Sequence, residues 1–158
     1  MAVCNICVAI ELSNLAVSQY VDWNMQGLTF CNGVGYGGNT EGFFMLDGDD
    51  DAGVEIEAHF KLPKTDFGIT NQKRVRRLYF GGELYDDMIV TLTADEEDSV
   101  DYTLRNAGTG TQQGREIKAN RSLKGRYFDV KVANTNGSDF GIDAIDVNLS
   151  VLSHIRSN

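Results

Sequence analysis

Residues Val54 to Leu62 alternate apolar and polar side chains without interruption, placing Val54, Ile56, Ala58, Phe60 and Leu62 on one face of an extended chain. That alternation predicts a half-buried strand over 54–62. Val100, Tyr102 and Leu104 alternate in the same way with Asp101, Thr103 and Arg105, and Phe128, Val130 and Val132 with Asp129 and Lys131. Further strands are predicted near 73–80, 87–94, 98–105, 114–118, 126–133 and 139–151, and helical periodicity is almost absent. One wet and one dry face per strand is the pattern of antiparallel sheets, and two such sheets packed face to face bury the dry faces together. The fold expected is all-β, an antiparallel β-sandwich of jelly-roll type.

The first 46 residues differ in texture: they are Gly-rich, with Glu11, Asp22 and Glu41 as their only ionisable acids and no lysine or arginine. Short strands are expected near 3–11, 15–21, 27–31, 33–37 and 42–46. Asn32-Gly33 carries the strongest hairpin signal, because both residues tolerate positive φ. Residues 1–46 therefore read as a β-meander or docking segment and 47–158 as the sandwich, the two together forming one compact unit. So small a meander cannot bury a core alone, and it is expected to pack on the sandwich or against another subunit.

Charge narrows the partners. Acidic residues outnumber basic ones by 23 to 14, a net charge of −9 that opposes the phosphate backbone and makes nucleic acid an unlikely partner. The distribution is uneven, with a basic stretch from Lys61 to Arg77 followed by an acidic one from Glu83 to Asp101. Cys4, Cys7 and Cys31 are an odd number, and Cys4 and Cys7 lack the second pair that a zinc site requires. They read as ordinary buried thiols in a reducing compartment. No apolar run reaches the length of a membrane span, and no membrane partner is expected.

Candidate chemistry is sparse. Asp47, Asp49 and Asp51 alternate through a turn as calcium ligands do, but the glycine and glutamate positions of a calcium loop do not match, so a solvated acidic turn is the simpler reading. In a regular strand Lys73 and Arg77 would share one face with Val75 and Tyr79, while Arg74 and Arg76 would occupy the other. The basic run would then be split, with salt bridges to Glu83, Asp86, Asp87 or a neighbouring subunit. His59 and His154 are far apart, no nucleophile motif is present, and pairs such as Glu55 with Glu57 or Asp143 with Asp146 suit the wet face of a strand. Catalytic and cofactor-binding residues are therefore expected to be none. Tyr20, Trp23, Phe30, Tyr36, Phe43 and Phe44 concentrate aromatics in the first third, where core or interface use is the common fate. Arg74, Arg76, Arg77, Trp23 and Tyr20 are the candidate interface residues.

Two stretches, Thr65-Asp66-Phe67-Gly68 with Gln72 to Gly82, and Lys124-Gly125-Arg126-Tyr127-Phe128 with Ser138 to Asp146, join the acidic turn Leu46 to Gly53 in a distinctive order. Together they resemble a family of tailed-bacteriophage virion structural proteins over about residues 12–152. The resemblance implies a non-enzymatic component of the tail or neck, assembling in the bacterial cytoplasm with other phage structural proteins and with copies of itself, and it brings no active-site residues. A capsid decoration protein is one alternative. Another is a carbohydrate-binding module for host attachment, using the aromatic-rich first third.

Overall fold

A computed structural model describes residues 6–21, 23–48, 50–51, 53–106, 108 and 110–152, and the chain divides into two compact units, Met1–Gly48 and Asp49–Asn158. All fourteen strands among the described residues pair antiparallel.

The second unit contains a short hairpin, β6 (Asp50–Asp51) with β7 (Val54–Glu55), and seven further strands. These are β8 (His59–Lys61), β9 (Lys73–Leu84), β10 (Met88–Ala94), β11 (Asp98–Leu104), β12 (Gln113–Lys118), β13 (Phe128–Asn134) and β14 (Phe140–Val151). One sheet runs β11-β10-β13-β8 and the other β12-β9-β14. From β8 onward the chain changes sheet at every connection except the β10–β11 hairpin. That winding is a jelly roll in which β14 has a neighbour on one side only, where an eight-stranded jelly roll would add a strand.

Alternation explains why the two sheets close on one another. Val75, Leu78, Phe80 and Leu84 of β9 meet Met88, Val90 and Leu92 of β10 and Phe128, Val130 and Val132 of β13, each almost inaccessible to water. Phe60, Leu62, Val100, Tyr102, Ile145 and Val147 pack around this cluster. The outward position Asp129 is the exception to the expected wet face: it is only 6% exposed, with Lys61 at 3.2 Å as its counter-ion.

Two bulges set the register of β9 against β14. Asp143 is the extra residue on β14 between the pairs Ile142–Gly82 and Ala144–Gly81, and Arg76 is the extra residue on β9 between Asn148–Arg77 and Leu149–Val75. Each shifts the inward parity by one residue, so β9 turns Lys73 and Val75 inward and then Leu78 and Phe80. Beside the first bulge, a Cβ on Gly82 would lie 2.1 Å from the Gly141 carbonyl oxygen, a backbone atom that cannot swing aside. Gly82→Ala is expected to prise the strands apart and cost about 3 kcal/mol, whereas Gly114→Ala, with open space around it, should stay within about 0.5 kcal/mol. Urea midpoints of the two variants measure the difference.

The uninterrupted strand expected over 54–62 is not formed. Gly53, at φ 86°, turns Val54 back onto Asp51, and the Asn134 side chain bonds the Ile56 carbonyl and the Ala58 amide in place of a regular ladder. Val54 and Ile56 consequently stay exposed, while Phe60 and Leu62 reach the core.

The first unit comprises a hairpin of β1 (Ile6–Ile10) and β2 (Val17–Val21), and a meander of β3 (Gly27–Cys31), β4 (Val34–Gly38) and β5 (Phe43–Met45). Asn32 and Gly33, at φ 52° and 83°, make the predicted tight turn. Gly37, over which the Met25 side chain packs so that it would have to shift to admit a Cβ, is the only buried residue described in this unit. The expectation of buried thiols fails here: Cys31 is exposed and Cys7 only half-buried, because the unit has no interior to receive them, and Cys4 lies outside the described residues.

Candidate functional site

The basic run does not divide as regular alternation predicts. The bulge at Arg76 moves Arg77 off the face of Lys73, leaving Arg76 and Arg77 exposed and Arg74 half-buried, with Lys73 alone turned inward. Arg77 pairs with Glu116 across the sheet at 3.1 Å and donates to the Tyr79 hydroxyl at 3.3 Å, instead of reaching Glu83, Asp86 or Asp87. Asp86 and Asp87 are engaged elsewhere: Asp86 accepts from the Asn136 amide, which lowers its pKa, and Asp87 accepts from the Asn106 backbone.

Tyr20 and Trp23 pack as a tilted pair, ring centroids 5.5 Å apart, with Tyr20 exposed and Trp23 half-buried. Of the acidic turn, Asp47 accepts from the Gly48 amide and Asp51 lies in the β6–β7 hairpin, while Asp49 falls outside the described residues. Among the described residues no three metal-ligating side chains converge. His59 is exposed on β8, and His154 lies outside the described residues.

A constellation that the spacing does not announce sits at one end of the sandwich. There the segment entering β9, the β10–β11 turn and the segment entering β13 line a cavity of about 310 Å³ with Thr70, Asn71, Gln72, Asp95 and Arg126. Beneath it Lys73 is fully buried, and its ammonium donates to the carbonyls of Ile69 (2.6 Å), Asn71 (3.4 Å) and Arg126 (2.5 Å). A buried cation costs several kcal/mol unless its protons are all placed, and these three acceptors place them. Asp95 ties the third segment down, accepting the backbone amides of Arg126 and Tyr127, each at 2.9 Å. Asp95 and Glu96 occupy the tight turn at positive φ, 49° and 69°. Glu96 also pairs with Lys64, which raises the pKa of Lys64 and lowers that of Glu96. In sequence, the only sign of this arrangement was a lysine in register with the inward Val75; the meeting of three separated loops leaves no local signature.

No protein-family model, curated protein or solved structure matches the chain.

Proposed function

We propose that this chain is a non-enzymatic structural protein of a tailed-phage particle, in which the sandwich is the rigid body and the first unit is the joint to other copies. The observation that carries the assembly role is the division of surface apolarity. Of the nineteen exposed large hydrophobic residues among those described, thirteen, from Ile6 to Leu46, belong to the first unit. Ile6, Val8 and Ile10 share a face with Val17 and Val21 across the hairpin, all more than half exposed. Phe30 and Phe43 of the meander are 80% and 82% exposed.

Exposed apolar side chains concentrated in one unit are the material from which the centre of a protein interface is built. Most outward positions of the sandwich strands are charged or polar, as with Arg77, Glu116, Lys118, Asp146, Asp101 and Lys131, with Tyr79 and Val151 as exposed apolar exceptions. The apolar complement that the first unit needs is therefore supplied best by the same unit of another copy, whose charge over residues 1–46 is limited to Glu11, Asp22 and Glu41. The virion setting, in the tail, neck or capsid decoration, rests on the ordered motifs from Leu46 to Asp146.

Two measurements test the proposal. Sedimentation of the full chain is expected to give a closed oligomer, and mass spectrometry of purified particles is expected to find the polypeptide. A monomer at micromolar concentration would remove the assembly role, and particles lacking the chain would remove the virion setting.

A further inference from the structure

We infer that the cavity at the end of the sandwich is a binding site for a neutral, hydroxyl-rich ligand, a single sugar residue of a glycan, held by Asn71, Gln72, Asp95 and Arg126. The inference is independent of the assembly role and of the aromatic pair in the first unit.

Three observations carry it. The first is the rigid support beneath the cavity: the Lys73 ammonium draws the carbonyls of Ile69, Asn71 and Arg126 together, and backbone bonds join Lys73 to Gly125 in both directions, at 2.9 and 3.0 Å. Gly125 allows this approach, since a Cβ there would sit 3.0 Å from the Asp95 carboxyl group. Loops that need only to connect strands do not require a buried ammonium, whereas a site held in productive geometry does require support of this kind.

The second is unused hydrogen-bonding capacity. The side chains of Thr70, Asn71, Gln72 and Arg126 make no hydrogen bond or ion pair with the described residues, although all four line one cavity. The Oδ2 atom of Asp95 keeps a free lone pair, while Oδ1 is taken up by the two backbone amides.

The third is the combination of charge and polarity. At the rim Asp95 and Arg126 carry opposite charges, and the Lys73 ammonium beneath spends its protons on backbone carbonyls, so a phosphate finds only Arg126 to donate to it and an ammonium group is opposed by the buried cation. Asn71 and Gln72 both donate and accept, Arg126 only donates, and Asp95 only accepts. Vicinal hydroxyls, which donate and accept from neighbouring atoms, match that mixture. The volume of about 310 Å³ accommodates one pyranose ring and lies at the small end of ligand pockets. Affinity at one such site is expected to be millimolar, and repetition of the site in an oligomer would raise it through avidity.

The test is saturation-transfer NMR on the full chain with the methyl glycosides of glucose, galactose, mannose and N-acetylglucosamine, and with glucose 6-phosphate as a charged comparison. At least one neutral glycoside is expected to bind. Arg126→Ala and Gln72→Ala, whose exposed side chains make no hydrogen bond or ion pair with the described residues, should each weaken it about tenfold or more at an unchanged melting temperature, while Trp23→Ala leaves it intact. Absence of binding by every neutral glycoside, tighter binding of the phosphate, or binding that survives Arg126→Ala and fails in Trp23→Ala would each overturn the inference.

Discussion

Replacing Val8 and Ile10 together with aspartate is expected to convert the assembled protein into monomers without unfolding the sandwich. Both side chains are more than half exposed on the apolar face of the β1–β2 hairpin, 57% and 55% respectively. Covering each in an interface is worth about 1.5 kcal/mol or more, so the pair contributes about 3 kcal/mol per chain, or roughly two decades in the association constant. Introducing carboxylates adds the cost of burying unpaired charge, which opposes association further. Sedimentation velocity at matched concentrations reads the change in mass, and the unfolding transition of the sandwich serves as the control. If the double variant keeps the oligomeric mass of the parent chain, the hairpin face is not the joint.

Lys73→Met should be the most destabilising single change away from the apolar core. Methionine fills a similar volume but leaves the carbonyls of Ile69, Asn71 and Arg126, now held by the ammonium, without a donor. One buried acceptor left unsatisfied costs about 1–3 kcal/mol, and partial relaxation of the two loops toward water limits the total to about 3–5 kcal/mol. Lys124→Met is the comparison, since Lys124 is exposed and makes no side-chain bond among the described residues, and it should change stability by less than about 0.5 kcal/mol. Urea unfolding of both variants gives the contrast. A loss below about 1 kcal/mol for Lys73→Met would mean that the buried ammonium does not support the loops.

Both predictions depend on features of very different legibility. Sequence predicts a short strand near 3–11 and, in the absence of any lysine or arginine before Lys61, a segment unlike the rest; which face of it is apolar across the hairpin follows from the pairing of Ile6, Val8 and Ile10 with Val21, Gln19 and Val17. What the sequence did not convey is how exposed the hairpin is: in β1 and β2 only Cys7 is even half-buried. The buried lysine was hidden for the opposite reason. Regular alternation places Lys73 and Arg77 together, and only the bulge at Arg76 separates them, sending the lysine inward and the arginine to solvent.

The opening strand shows the same limit. Val54 to Leu62 has a faultless two-residue period, but Gly53 folds its beginning into a hairpin and the Asn134 side chain interrupts its ladder. Period-two patterning depends on the local pleat, in which successive side chains must point to opposite faces, so the sequence alone determined the all-β class, the antiparallel sandwich and most strand positions. Where strands are interrupted, which residue is extra at a bulge, and which distant loops share a cavity depend on pairings between residues far apart in the chain. Those were decided by the tertiary structure, because one unpaired residue reverses every face that follows it, and no local pattern records the partner that leaves it unpaired.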